Sequence, residues 1–151
     1  MCTGPRRTDG YTIIELLLVM IIIGVLAGIT YVRMAPTLEG ARVRGAASLL
    51  AGDLQYAQVL AARRRLPVVV SVNSAAQVYQ LVDRLGTVVR TREFGATGEF
   101  GLTELSATPT SLEIFPNGAA AVSATFILGI GTNRQRVTFS RAGQIRVTKL
   151  P

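Results

Sequence analysis

The chain opens its readable pattern with an apolar run, Tyr11 to Val32, broken by polar side chains only at Thr12, Glu15 and Thr30. No charge falls between Leu16 and Ile29. Wound as a helix at about 1.5 Å per residue, this run is about 33 Å long, enough to cross a bilayer. Pro36 is expected to kink or restart the helix, because proline removes a donor and crowds the preceding turn. Beyond it Ala46, Leu49, Leu50, Leu54, Ala57, Leu60 and Ala61 recur at spacings of three and four, an amphipathic stripe. Arg44, Gln55, Gln58 and Arg63 fall largely off that stripe. The pattern predicts one long helix in two parts, 11–34 and 37–64, the second packed on a sheet.

After Arg63-Arg64-Arg65 the period changes. Cations at a helix C-terminus complement its dipole, and the same three side chains could contact phospholipid headgroups or a partner. Val68–Val72, Val78–Val82 and Val88–Arg92 are rich in β-branched residues and read as strands. Further strands are predicted at Ser111–Phe115, Thr125–Leu128, Arg136–Ser140 and Gln144–Thr148, with turns at Pro116-Asn117-Gly118 and Arg141-Ala142-Gly143. Gly95 to Gly101 is a glycine-spaced loop, and Glu93, Glu99 and Glu104 are assigned to a flexible connection there. That loop lacks the strand-to-helix setting and the lysine of a phosphate cradle. A long helix laid over an antiparallel sheet is an α+β arrangement.

Composition narrows the chemistry. Among 151 residues there is one cysteine, Cys2, and no histidine. An internal disulfide is impossible, the usual Cys/His zinc sites are excluded, and no metal site or cofactor is expected. Ser106, Ser111 and Ser140 have no imidazole to activate them, so no catalytic residues are assigned and the chain is not read as an enzyme. A net charge of +7 favours acidic partners such as nucleic acid or anionic lipid, although a solvated arginine-rich surface is the commoner explanation.

Glu15 is the anomaly of the apolar run. A charged side chain at a helix centre costs roughly 2.5–3.5 kcal/mol on insertion scales, less near an end. Arginines flank the run on both sides, Arg6 and Arg7 before it and Arg33, Arg42 and Arg44 after it, so charge alone does not orient it. A secretory signal peptide cut near Ala27-Gly28 is one reading. A cut after Gly10 is another. The amine of Tyr11 would then lie one helical turn from Glu15, and the unpaired N–H groups and positive end of the helix dipole favour a carboxylate there.

Arg6-Arg7 followed by Gly10-Tyr11-Thr12-Ile13-Ile14-Glu15 and the apolar run resembles the processing motif of type IV pilins and type II secretion pseudopilins, with Tyr11 standing where phenylalanine is usual. The latter half, Phe115, Gly118, Phe126–Leu128, Val137–Ser140, Gly143 and Ile145–Val147, resembles the end of the minor pseudopilin H and FimT-like family. The resemblance implies a pilin-like α+β fold in three parts: a leader, 1–10; a transmembrane and filament-core helix, 11–35; and a periplasmic domain, 36–151. It implies cleavage between Gly10 and Tyr11 by a prepilin peptidase, N-methylation of Tyr11, and loss of Cys2 with the leader. A single-pass inner-membrane protein results, which joins a pilus or pseudopilus through an assembly platform and other pilin or pseudopilin subunits. Glu15 is the expected assembly residue, meeting a neighbour's N-terminal amine. Its alternative is to face its own terminus. Some FimT-like minor pilins are implicated in DNA uptake, which makes Arg134, Arg136, Arg141, Arg146 and Lys149 candidate DNA contacts; strand alternation groups Arg134, Arg136 and Arg146 and turns Phe139 toward the core. Stacking aromatics are not interleaved with them, so base stacking is not expected.

Overall fold

The computed structural model describes residues 11–150, with the side chains of residues 30–36 outside the description. The expected leader, including Gly10, lies outside the described residues. The chain divides between Ala35 and Pro36 into two compact units, each taken by itself.

Helix α1 runs Ile13–Arg64 as one element. The helix runs unbroken through Pro36, so the proline does not restart it. In the first unit the helix starts at Thr12, whose carbonyl accepts from Glu15 N–H at 3.1 Å and Leu16 N–H at 3.2 Å. From Ile13 to Ile29 every described side chain is exposed. Among the described residues no helix is long and apolar enough to cross a membrane.

In the second unit the helix supplies Val43, Ala46, Ala47, Leu50, Leu54, Ala57, Leu60 and Ala61 to a buried core. Leu49 is only partly buried against it. The stripe is thus the predicted one, widened by Val43 and Ala47. Among the described residues eight strands follow: β1 (Val68–Asn73), β2 (Val78–Asp83), β3 (Val88–Glu93), β4 (Glu104–Thr108), β5 (Ser111–Ile114), β6 (Ala124–Ile130), β7 (Asn133–Phe139) and β8 (Ile145–Leu150). They form two antiparallel four-stranded sheets, ordered β3-β2-β1-β5 and β4-β6-β7-β8. One core joins the helix to inward residues of both sheets, among them Val70, Tyr79, Leu81, Leu112, Phe126, Leu128, Val137 and Phe139.

Two expectations change. Strand β4 was not predicted, and Glu104 opens it rather than lying in a loop. Leu105 and Ala107 alternate inward there, but the segment is only five residues long and carries no β-branched residue before Thr108. The connection before it is packed rather than loose. Phe94 and Leu102 are 1% exposed, Phe94 stacks on Tyr79 with centroids 5.3 Å apart, and Phe100 lies against the helix at Gly45. Gly98 sits so close to Glu93 that a Cβ would fall 2.1 Å from its carbonyl oxygen. Strands β5 to β8 otherwise fall within three residues of their predicted ends.

Candidate functional site

The N-terminal turn is built by its own sequence. Thr12 Oγ1 accepts a hydrogen bond from Glu15 N–H at 3.3 Å, so Thr12 is the N-cap and Glu15 the third helical residue. Thr12-Ile13-Ile14-Glu15 has the spacing of a capping box, a signal that reading Glu15 as an isolated acid overlooked. The Glu15 and Tyr11 side chains are exposed, Tyr11 by 80%. An exposed carboxylate in the first turn faces the positive end of the dipole and is open to a cation from outside.

The five basic candidates of the C-terminal half separate. Register pairs Arg136 with Thr148 and Thr138 with Arg146, so Arg134, Arg136 and Arg146 share the face of the second sheet opposite Val137 and Phe139. Arg134 Nε already pairs with Glu104 at 3.0 Å. Lys149 pairs in register with buried Gln135 and so belongs to the other face. Arg141 lies in the β7–β8 turn, where its Nε donates to the Ala121 carbonyl at 3.3 Å. Phe139 is fully buried.

The turns of this half meet at one helix residue. Gln58 Nε2 donates to the carbonyls of Gly118, at 3.0 Å, and Gly143, at 2.9 Å. Both glycines have positive φ, 80° and 82°. They are also nearly in contact: a Cβ on Gly143 would sit 2.3 Å from the Gly118 carbonyl oxygen. Ala120 N–H completes the junction by donating to the Arg141 carbonyl at 3.0 Å. Gln58, off the apolar stripe, thus fastens the helix to two turns. Its partners are backbone groups, and side-chain periodicity carries no signal for them.

A second polar tie lies deeper. Asp53 is 3% exposed and accepts from Tyr79 Oη, from Arg90 Nη1, and from Arg92 Nε at 3.2 Å. Arg90 and Arg92 are inward positions of edge strand β3, opposite Leu81 and Tyr79. Arg90 also lies over the Tyr56 ring, 4.5 Å from its centroid. The signal was an acid inside the stripe between Leu50 and Ala57. At the helix end Arg64 Nη1 pairs with Asp83 at 2.6 Å, while Oδ1 of buried Asp83 has no hydrogen-bond partner among the described residues.

A family model described as type II transport protein GspH matches residues 46–143. The chain belongs to the GspH family. The matched span begins within the core-facing stripe of the helix and ends on the glycine held by Gln58. A second model, the prokaryotic N-terminal methylation motif, matches residues 5–31 and so covers the Thr12 cap and Glu15. Among solved structures, this GspH-family chain is similar to the type IV minor pilin FimU of Pseudomonas aeruginosa in two crystal forms. One gives a TM-score of 0.55 at 19% identity, covering 70% of this chain and 91% of FimU. The other gives 0.57 at 20%, covering 70% and 87%. At that identity the likeness is one of fold. No curated protein sequence matches the chain. The α+β expectation is met, and this GspH-family chain carries the prokaryotic N-terminal methylation motif.

Proposed function

We propose that this chain is a filament subunit, processed after Gly10, N-methylated on Tyr11, and assembled through its N-terminal helix into a type II secretion pseudopilus or a type IV pilus. Prepilin peptidase makes the cut, residues 11–35 hold the subunit in the inner membrane, and residues 36–151 occupy the periplasm before an assembly platform feeds the subunit into the filament. The observation that carries this reading is the helix from Ile13 to Ile29, whose apolar side chains are all exposed and whose first turn holds one carboxylate. Such a surface needs a lipid or protein environment. A carboxylate in an apolar bundle is costly unless a cation meets it, and a neighbour's N-terminal amine meets it only in correct register. Two measurements test this. Mass spectrometry of the membrane-extracted chain is expected to find a methylated Tyr11 terminus, and Glu15→Ala is expected to be cleaved normally but left out of filaments. Normal incorporation of Glu15→Ala would sink the pairing.

A second reading, DNA binding, draws on the shared face of Arg134, Arg136 and Arg146. With Arg134 already paired, Arg136 and Arg146 are left without an ion pair among the described residues and make a small phosphate footprint. Titration of the detergent-solubilised chain with duplex DNA tests it, and no binding at low salt would remove it.

A further inference from the structure

The edge strands of the two sheets are β3 and β5, and β4 and β8. An edge presents a row of unpaired backbone groups unless something blunts or covers it. Three of these edges are short, charged on the inward face or already covered. Strand β3 turns Arg90 and Arg92 inward and meets a register shift at Leu81 and Val82. The edge of β5 is closed by its own chain, with Phe115 N–H donating to the Ala119 carbonyl at 2.8 Å and Ala121 N–H to the Glu113 carbonyl at 3.1 Å. Strand β4 is five residues long and runs beside β1 of the other sheet.

Strand β8 differs. Its six residues pair with β7 without a shift and include neither proline nor glycine. Ser140 N–H donates to the Gln144 carbonyl at 2.9 Å, which fixes the phase of the ladder beyond it. Bonded pairs alternate with open ones from there, so Thr138–Arg146 and Arg136–Thr148 are the bonded pairs. The N–H and carbonyl groups of Ile145, Val147 and Lys149 therefore point away from β7, and no partner among the described residues meets them. The same three side chains lie on the face of Val137, yet Val147 is 42% exposed while Val137 is fully buried. Ile145 packs against the core and is only partly buried. An apolar step and a row of free backbone groups lie side by side.

Charge selects what fits this edge. No acidic residue follows Glu113 in the sequence, whereas Arg134, Arg136, Arg141, Arg146 and Lys149 all do. Arg134 is taken by Glu104, and the other four form no ion pair among the described residues. Glu39, on the helix, faces the β6–β7 turn at Gly131. A second copy of β8 would bring two more cations and no acid to the same edge. We propose that the free edge of β8 takes up, antiparallel, an extended acidic segment of another protein, with carboxylates opposite Arg146 and Lys149 and aliphatic side chains opposite Ile145 and Val147. Backbone bonds supply the affinity of such an added strand, and its alternating side chains supply the selection. Duplex DNA would answer the cations but leaves the free backbone groups and Val147 unmet, so a protein strand is the better match. The contact lies wholly within the second unit and is independent of cleavage, of methylation and of Glu15.

The strand complementary to Ile145–Lys149, written in its own direction, is Glu-Thr-Val-Glu-Val. That peptide, capped at both ends and carrying a fluorophore, is titrated with the full chain in detergent micelles, and binding is read by anisotropy. In antiparallel register its two valines and first glutamate aim their N–H groups at β8, while the threonine and second glutamate aim theirs outward. N-methylation of the two valines is expected to weaken binding on the order of tenfold or more, and N-methylation of the threonine and second glutamate by less than about twofold. Arg146→Glu in the chain weakens binding on the order of tenfold, and a peptide with arginine in place of the second glutamate regains it. The methylated peptides leave the chain untouched, so their comparison stands whatever Arg146→Glu does to folding. No binding of the parent peptide would overturn the proposal, as would equal binding of the valine-methylated one or indifference to Arg146→Glu. So would binding of duplex DNA with none of the peptide.

Discussion

Gly143→Ala puts the meeting of helix and turns to a quantitative test. The residue has φ of 82°, a conformation that costs an L side chain about 1–2 kcal/mol. Its new Cβ would also fall 2.3 Å from the Gly118 carbonyl oxygen and 2.7 Å from Gln58 Nε2. Because the nearest atom is backbone, the two turns must separate. Gln58 then loses both of its hydrogen bonds, each with a net value of about 1 kcal/mol. The expected loss is about 3–4 kcal/mol.

Gly86→Ala is the control. Its φ is 81°, but nothing lies within 4 Å of the added Cβ, so it carries the dihedral cost alone. The difference between the variants, about 2 kcal/mol, isolates the close approach. Thermal unfolding of the full chain in detergent, followed by circular dichroism, should separate their melting temperatures by roughly 5–10 °C for a core of this size. Equal losses within about 0.5 kcal/mol would show that Gln58 and the two glycines contribute nothing beyond turn conformation.

Other outcomes follow from single contacts. Thr12→Ala removes the cap and should weaken the first helical turn by about 0.5–2 kcal/mol, seen as faster amide exchange at Ile14 to Leu16 with the melting of the second unit unchanged. Arg64→Ala leaves the buried Asp83 carboxylate without its cation, at a cost of about 1–3 kcal/mol, whereas Arg63→Ala should melt like the parent. Arg134→Ala, which breaks only a half-exposed pair with Glu104, should cost under about 1 kcal/mol in the same melt.

How legible the fold was depends on the kind of interaction that fixes each part. The helix and seven of the strands announce themselves through period and β-branching, which follow from burial of one face. Strand β4 stayed hidden because its alternation, Leu105 and Ala107, is too short and too weakly β-forming to stand out. Pro36 does not restart the helix, because a single missing donor does not end a helix of this length. At the N-terminus the carboxylate stands out as the one charge in an apolar run, while its cap, Thr12, is one ordinary polar residue among others until the hydrogen bond to Glu15 N–H is seen. Gln58 was beyond reach, because its partners are carbonyl groups 60 and 85 residues away, and a carbonyl looks the same at every position.

Those hidden contacts add to what the apolar stripe does. Ala46, Ala47, Ala57 and Ala61 add little shape to the helix face, so its register rests on Val43, Leu50, Leu54 and Leu60 together with the polar ties. Asp53 and Gln58 are those ties. Asp53 has its ligands in β2 and β3 of the first sheet, and Gln58 has its partners in the β5–β6 and β7–β8 turns. One tie can hold the register if the other is lost, so each single alanine variant should unfold from a native-like state. Asp53→Ala should be the costlier, about 3–5 kcal/mol, because it strands two arginines and a phenol. The double variant loses both polar ties, and its loss should exceed the sum of the singles by more than about 0.5 kcal/mol. Simple additivity in denaturant unfolding of the full chain would refute the claim that the pair helps to fix register, and would leave them as two independent local contacts.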